Sequence, residues 1–241
     1  MAIVSPRLSV PEAAIEEGLP PLENGDHLDQ HTYHARYEAP PEDFHAELIG
    51  GVVFVRSRVG RRHARCTALL NGWLGRYEQD TPGTEALARG TIILGVQDEP
   101  EPDASLRILP EYGGRTQVEN EYLTGAPELL IEVASSTEAI DLHRKKASYE
   151  AAGIDEYIVT LLRGRDVRWF VLENGVYQLL PPGEDGILRS RRFPGLWLDP
   201  QALLRNDLQR LREVLEQGLA SPEHGKWVKR LAEAGPASGQ A

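Results

Sequence analysis

Residues 128–157, ELLIEVASSTEAIDLHRKKASYEAAGIDEY, constrain this chain more than any other stretch. They open as an apolar run of the length of a buried strand, with an acid set into its middle. Alternation along a strand puts Leu130, Glu132 and Ala134 on one face and Leu129, Ile131 and Val133 on the other. A carboxylate there is costly to bury unless hydrogen bonds, a cation or a metal compensate it. Ser135, Ser136 and Thr137 supply N-cap candidates, and Ser135 with Glu138 has the capping-box spacing. The helix that follows carries Asp141, Lys145 and Tyr149 four residues apart, along one side. Gly153 stands where helices commonly end, and residues 154–162 read as the next strand. An acid on a strand, answered by a lysine and a tyrosine on the next helix, is the layout of a site.

The rest of the chain supplies the frame. Residues 1–41 are rich in acids and prolines and predict an extension with at most one short helix. His27, His31 and His34 have helix-like spacing, and a structural or solvent role is preferred to metal ligation. From residue 42 a helical turn leads into a hairpin through Gly50-Gly51, with Glu47 just before the turn. A helix is expected over 62–79, strand-like sequence over 86–96, and a strand after Asp103, where Ala104, Leu106 and Ile108 alternate. Asp98, Glu99 and Glu101 read as loop charges, and 111–120 as a polar loop. Strands follow at 156–162, 167–172 and 176–180, the last two joined by Asn174-Gly175. Asp199-Pro200 starts a helix with Leu204, Leu208, Leu211 and Leu215 on one stripe, and Ser221-Pro222 starts another with Trp227 and Leu231. The organisation expected is an extension over 1–41, a core domain over 42–200 and a helical extension over 201–241.

Composition narrows the chemistry. One cysteine, Cys66, excludes an intramolecular disulfide and a cysteine-based metal cluster. No signal-peptide core and no membrane-length apolar run is visible, so a cytoplasmic location is expected. The net charge of −11 argues against indiscriminate coating of nucleic acid, yet RSRVGRRHAR (56–65), HRKK (143–146) and RSRR (189–192) are locally basic.

The order AELIGG, a helix containing a histidine, PD, IEVASS, then D-x-x-x-K-x-x-x-Y-x-x-x-G-x-x-E-Y and FPGLWLDP resembles the bacterial Uma family of restriction-endonuclease-type proteins, within the PD-(D/E)XK nuclease superfamily. The resemblance covers roughly residues 42–199. It implies an α/β (α+β) restriction-endonuclease-like core, a mixed central β-sheet flanked by helices, with a C-terminal helical extension. Carried over, Asp103 resembles the aspartate of the PD motif, Glu132 the acid that follows it, and Glu47 the glutamate placed near the metal. The parent motif puts a lysine two residues after the second acid, where this chain has Ala134. Lys145 corresponds to the lysine that the family takes from the next helix, with Lys146 an adjacent alternative. Asp103 and Glu132 then offer hard oxygens to Mg²⁺ or Mn²⁺, with Tyr149 and Asp141 in support. Arg61, Arg62, His63 and Arg65 are candidate phosphate contacts.

The leading expectation is a metal-dependent DNA endonuclease acting as a homodimer. A catalytically inactive nucleic-acid-binding or assembly protein of the same fold stands beside it, because Asp103, Glu132 and Lys145 would also make a structural ion network. Glycoside hydrolysis fits less well, since basic runs and a lysine suit an anionic substrate better.

Overall fold

The structure, a computed structural model, describes residues 20–39, 44–56 and 58–236. The chain divides into two compact units: a smaller one of Met1–Arg58 with Leu94–Pro100, and a larger one of Val59–Ile93 with Glu101–Ala241.

In the smaller unit, α1 (Gln30–Tyr37) starts at Asp29, whose carboxylate accepts from Thr32 N at 2.7 Å. Strands β1 (Ala46–Ile49) and β2 (Val52–Val55) form the expected hairpin, and Gly50 and Gly51 take φ of 57° and 72°, as a tight primed turn requires. The helical turn expected from residue 42 falls partly outside the described residues, and 44 and 45 are irregular. Glu99 corrects its reading as a loop charge. It is buried, held by His34 Nδ1 and Gln30 Nε2, both at 2.8 Å. Asp98 accepts from Gly50 N at 2.7 Å, tying the hairpin turn.

The larger unit is built on a six-stranded mixed sheet. Its strands are β3 (Thr84–Leu87), β5 (Ala104–Ile108), β8 (Leu129–Ala134), β9 (Glu156–Leu161), β10 (Asp166–Glu173) and β11 (Val176–Leu179), in the order β11-β10-β9-β8-β5-β3. Within this sheet only β8 and β9 run parallel, with a helix between them in sequence; short turns join the antiparallel pairs β9–β10 and β10–β11, and longer segments separate the antiparallel pairs β3–β5 and β5–β8. One face packs on α2 (Arg61–Gln79), where Leu70, Trp73, Leu74 and Tyr77 meet Leu106, Leu129, Ile131, Val133 and Trp169. Tyr149, Tyr157, Phe170 and Tyr177 pack ring on ring as a separate aromatic group.

Strand-like 86–96 is two strands rather than one. Arg89 at φ 55° breaks it, and β4 (Ile92–Ile93) joins β6 (Gln117–Glu119) and β7 (Tyr122–Thr124) in a small sheet, where a polar loop was expected. Glu101, also read as a loop charge, is buried and bonded by Arg89 Nε at 3.1 Å.

The C-terminal region differs in one respect. The single leucine-striped helix is two: α4 (Pro200–Arg205) stops at Asn206, φ 58°, and α5 (Leu208–Leu219) restarts with Asp207 as its cap. With α6 (Pro222–Ala234) they close over this chain's own core, where Leu203, Leu211, Leu215, Trp227 and Leu231 are buried. Between them and β11, β12 (Leu188–Arg189) pairs with β13 (Trp197–Leu198).

Candidate active site

The centre of the larger unit is β8. Six consecutive buried residues make it a fully enclosed strand, and Glu132 is its one charged member. Its neighbours Ile131 and Val133 belong to the α2-side core. Compensation for the buried carboxylate comes from the segment after β8. Lys145 Nζ lies 2.9 Å from Glu132 Oε1, and the Tyr149 hydroxyl donates to the same oxygen at 2.9 Å. Asp141 Oδ1 stands 3.8 Å from Lys145 Nζ, and its other oxygen accepts from Thr137 Oγ1 at 2.6 Å. The Tyr157 hydroxyl donates to the Asp141 carbonyl at 3.1 Å.

The backbone that delivers these groups is not a plain α-helix. Residues Ile140–Lys145 form a wide, π-helical stretch that passes into α3 (Lys146–Ala152), which Gly153 ends at φ 78°. The expected capping box does not form. Asp141 N donates to Thr137 O, making Thr137 the start of the helix, and Glu138 instead accepts from Arg163 N. Lys146 takes no part in the Glu132 network. Its ammonium sits over the rings of Phe170 and Tyr177, 5.1 and 5.6 Å from their centroids.

Asp103 immediately precedes β5. That strand pairs Ala104 with Ile131, which brings Asp103 to the end of β8 where Glu132 and Val133 lie. Asp103 is buried, and its Oδ2 accepts from Val133 N at 2.8 Å, one residue from Glu132. His63 Nε2, from the first turns of α2, lies 3.2 Å from that same oxygen. Asn71, two turns on, donates to the Asp103 carbonyl at 3.3 Å. Cys66 lies near enough to feel the Asp103 charge; burial foremost, with that charge adding to it, pushes its thiol up to about 12.

The sequence-predicted residues thus fall into three groups. Glu132, Lys145, Tyr149 and Asp141 share one buried network, and Asp103 adjoins it through the Val133 amide with His63 attached. Arg61, Arg62 and Arg65 line a cleft beside α2. Glu47 belongs to the smaller unit, buried on β1 with Arg56 Nη1 3.8 Å from its carboxylate. Thr137, read from the sequence as an N-cap candidate, and Tyr157, read as the end of the family motif, prove to orient Asp141. Arg163 and Arg165, which line the same cleft, were not singled out from the sequence. The signal for the last two was the R-G-R turn at 163–165.

Asp103 and Glu132 suit a hard divalent ion of the Mg²⁺ kind, which binds through one or two carboxylates and keeps several waters. Among the described residues no three His, Cys, Asp or Glu side chains are grouped as a protein-built metal cage would need.

The larger unit is a mixed α+β fold of the restriction-endonuclease-like kind, a central mixed sheet with helices on its flanks. A family model described as Uma2, putative restriction endonuclease, matches residues 31–201, and the chain belongs to that family. Its fold is shared with a putative nuclease belonging to DUF820 from Anabaena variabilis ATCC 29413, at a TM-score of 0.51 and 13% identity, over 70% of this chain and 96% of that one. None of the curated proteins matches the chain. Among the described residues, no helix is long and apolar enough to cross a membrane.

Proposed function

We propose that the chain is a cytoplasmic DNA endonuclease that hydrolyses phosphodiester bonds with Mg²⁺ or Mn²⁺ held by Asp103 and Glu132. The observation that supports this most is the buried Glu132–Lys145–Tyr149 cluster one residue from the amide that fixes Asp103. Bound there, the ion supplies charge neutralisation at the scissile phosphate and a water of lowered pKa. Lys145, steadied by Asp141, brings a cation to where charge develops on the phosphate. Tyr149 holds the Glu132 oxygen that Lys145 also uses, and His63 orients Asp103. A two-fold homodimer would present two such centres for the two strands of a duplex.

One observation favours a second reading. Lys145 and Tyr149 both bond a single Glu132 oxygen, as in a closed ion network that serves only the fold of an inactive nucleic-acid-binding protein. Calorimetry with Mg²⁺ and Mn²⁺ separates the two. The nuclease reading expects binding by the wild type and its loss in Asp103→Asn; no binding by the wild type leaves the ion network.

A further inference from the structure

Five arginines meet at one cleft of about 640 Å³ in the larger unit. Arg61, Arg62 and Arg65 come from the first turns of α2, and Arg163 and Arg165 from the turn between β9 and β10. Leucines 162, 203 and 204 complete its lining with Cys66 and Asn206, and no acid contributes. All five arginines are exposed. Among the described residues none of them has a carboxylate partner, whereas nearby Arg168 takes Asp166 and Arg210 takes Asp199. Acids are abundant on a chain of net charge −11, so five unanswered guanidiniums around one hollow are a concentrated positive site. The turn also holds Arg165 at φ 50°, a conformation that non-glycine residues seldom adopt.

The cleft and the acid centre share a wall. His63, between Arg62 and Arg65 in sequence, touches Asp103, and Cys66 belongs both to the cleft lining and to the surroundings of Asp103. We propose that this cleft grips the sugar–phosphate backbone of a nucleic-acid strand and holds it beside the Asp103–Glu132 centre. Guanidinium forks pair with phosphate oxygens through two parallel hydrogen bonds, and the leucines offer the sugars an apolar floor. The proposal rests on the phosphodiesterase reading and adds the path of the strand, including two arginines outside the basic run of α2.

Anisotropy of a labelled DNA duplex, measured in EDTA over a series of salt concentrations, tests it. Arg163→Ala/Arg165→Ala and Arg61→Ala/Arg62→Ala remove one wall each; Arg212→Ala, on the exposed face of α5 and outside the cleft, is the control. Each double variant should raise Kd by about tenfold or more and lower the slope of log K against log salt by about two, the value for two lost phosphate contacts. The control should change neither, and circular dichroism should show all variants folded. An unchanged Kd and slope in either double variant, an equal loss in the control, or a wild type that binds no duplex overturns the proposal. EDTA prevents cutting, so the two claims separate. Cleft-dependent binding without cutting in Mg²⁺ rejects the phosphodiesterase reading alone. Normal cutting with unaltered binding in the double variants rejects the cleft alone.

Discussion

Lys145 reaches Glu132 from the helix and not from the strand: its ammonium lies 2.9 Å from Glu132 Oε1, while Ala134 occupies the strand position two residues after the acid. Moving the cation to another element makes its placement depend on the π-helical stretch Ile140–Lys145 and on the groups that hold Asp141.

That dependence has an energetic signature. Lys145→Met leaves a buried carboxylate without its cation and is expected to cost about 3–5 kcal/mol of stability. Adding Glu132→Gln should restore most of it, because the charge that needed compensation is gone. Tyr149→Phe removes one charge-assisted hydrogen bond and should cost about 1.5 kcal/mol. Denaturant unfolding of the three variants and the wild type checks the order.

His224 makes α6 sensitive to acid. It is buried, Nε2 stands 2.9 Å from Thr81 Oγ1 and Nδ1 2.9 Å from the Leu219 carbonyl, a pattern that suits the neutral ring. Burial lowers its pKa below the ordinary 6.5. The unfolded chain therefore takes up this proton first, so the contribution is complete above about pH 6.5 and is lost as pH falls through the folded value. Glu128 and Glu156 act with the opposite sign. Burial raises both, so the folded state binds their protons more readily and gains stability as pH falls toward the ordinary carboxylate range. The difference in unfolding midpoint between wild type and His224→Gln isolates the histidine, and it should shrink between pH 7 and pH 5.5.

Cys66 should be inert in the native protein. With its thiol pushed up to about 12 by burial, almost none is thiolate at pH 8. A thiol-reactive dye should label it only after denaturation, at the rate of global unfolding.

The parts legible in the sequence were those written in local periodicity. β8 declared itself by a six-residue apolar run around one acid, and the 141–145–149 spacing survived the π-helical widening well enough to keep all three groups in one network. Gly50-Gly51 and Asn174-Gly175 marked their hairpins through positive backbone angles. What escaped depended on distant partners. Glu99 and Glu101 looked like loop charges because His34, Gln30 and Arg89 are far from them in sequence. Strands β6 and β7 are short, polar and partly exposed, with little apolar alternation to mark them. The break at Asn206 was hidden because Leu204 and Leu208 keep helical spacing across it, with no glycine or proline between them. His63 was legible as a helix histidine, but its contact with Asp103 needed the fold.

Nicking of supercoiled plasmid in Mg²⁺ tests the central claim most directly. The account predicts that the wild type cuts, that Asp103→Asn and Glu132→Gln slow cutting by about a hundredfold or more while leaving duplex binding in EDTA intact, and that EDTA abolishes cutting altogether. Variants that cut as fast as the wild type, or a wild type that leaves plasmid untouched in both Mg²⁺ and Mn²⁺, would contradict it.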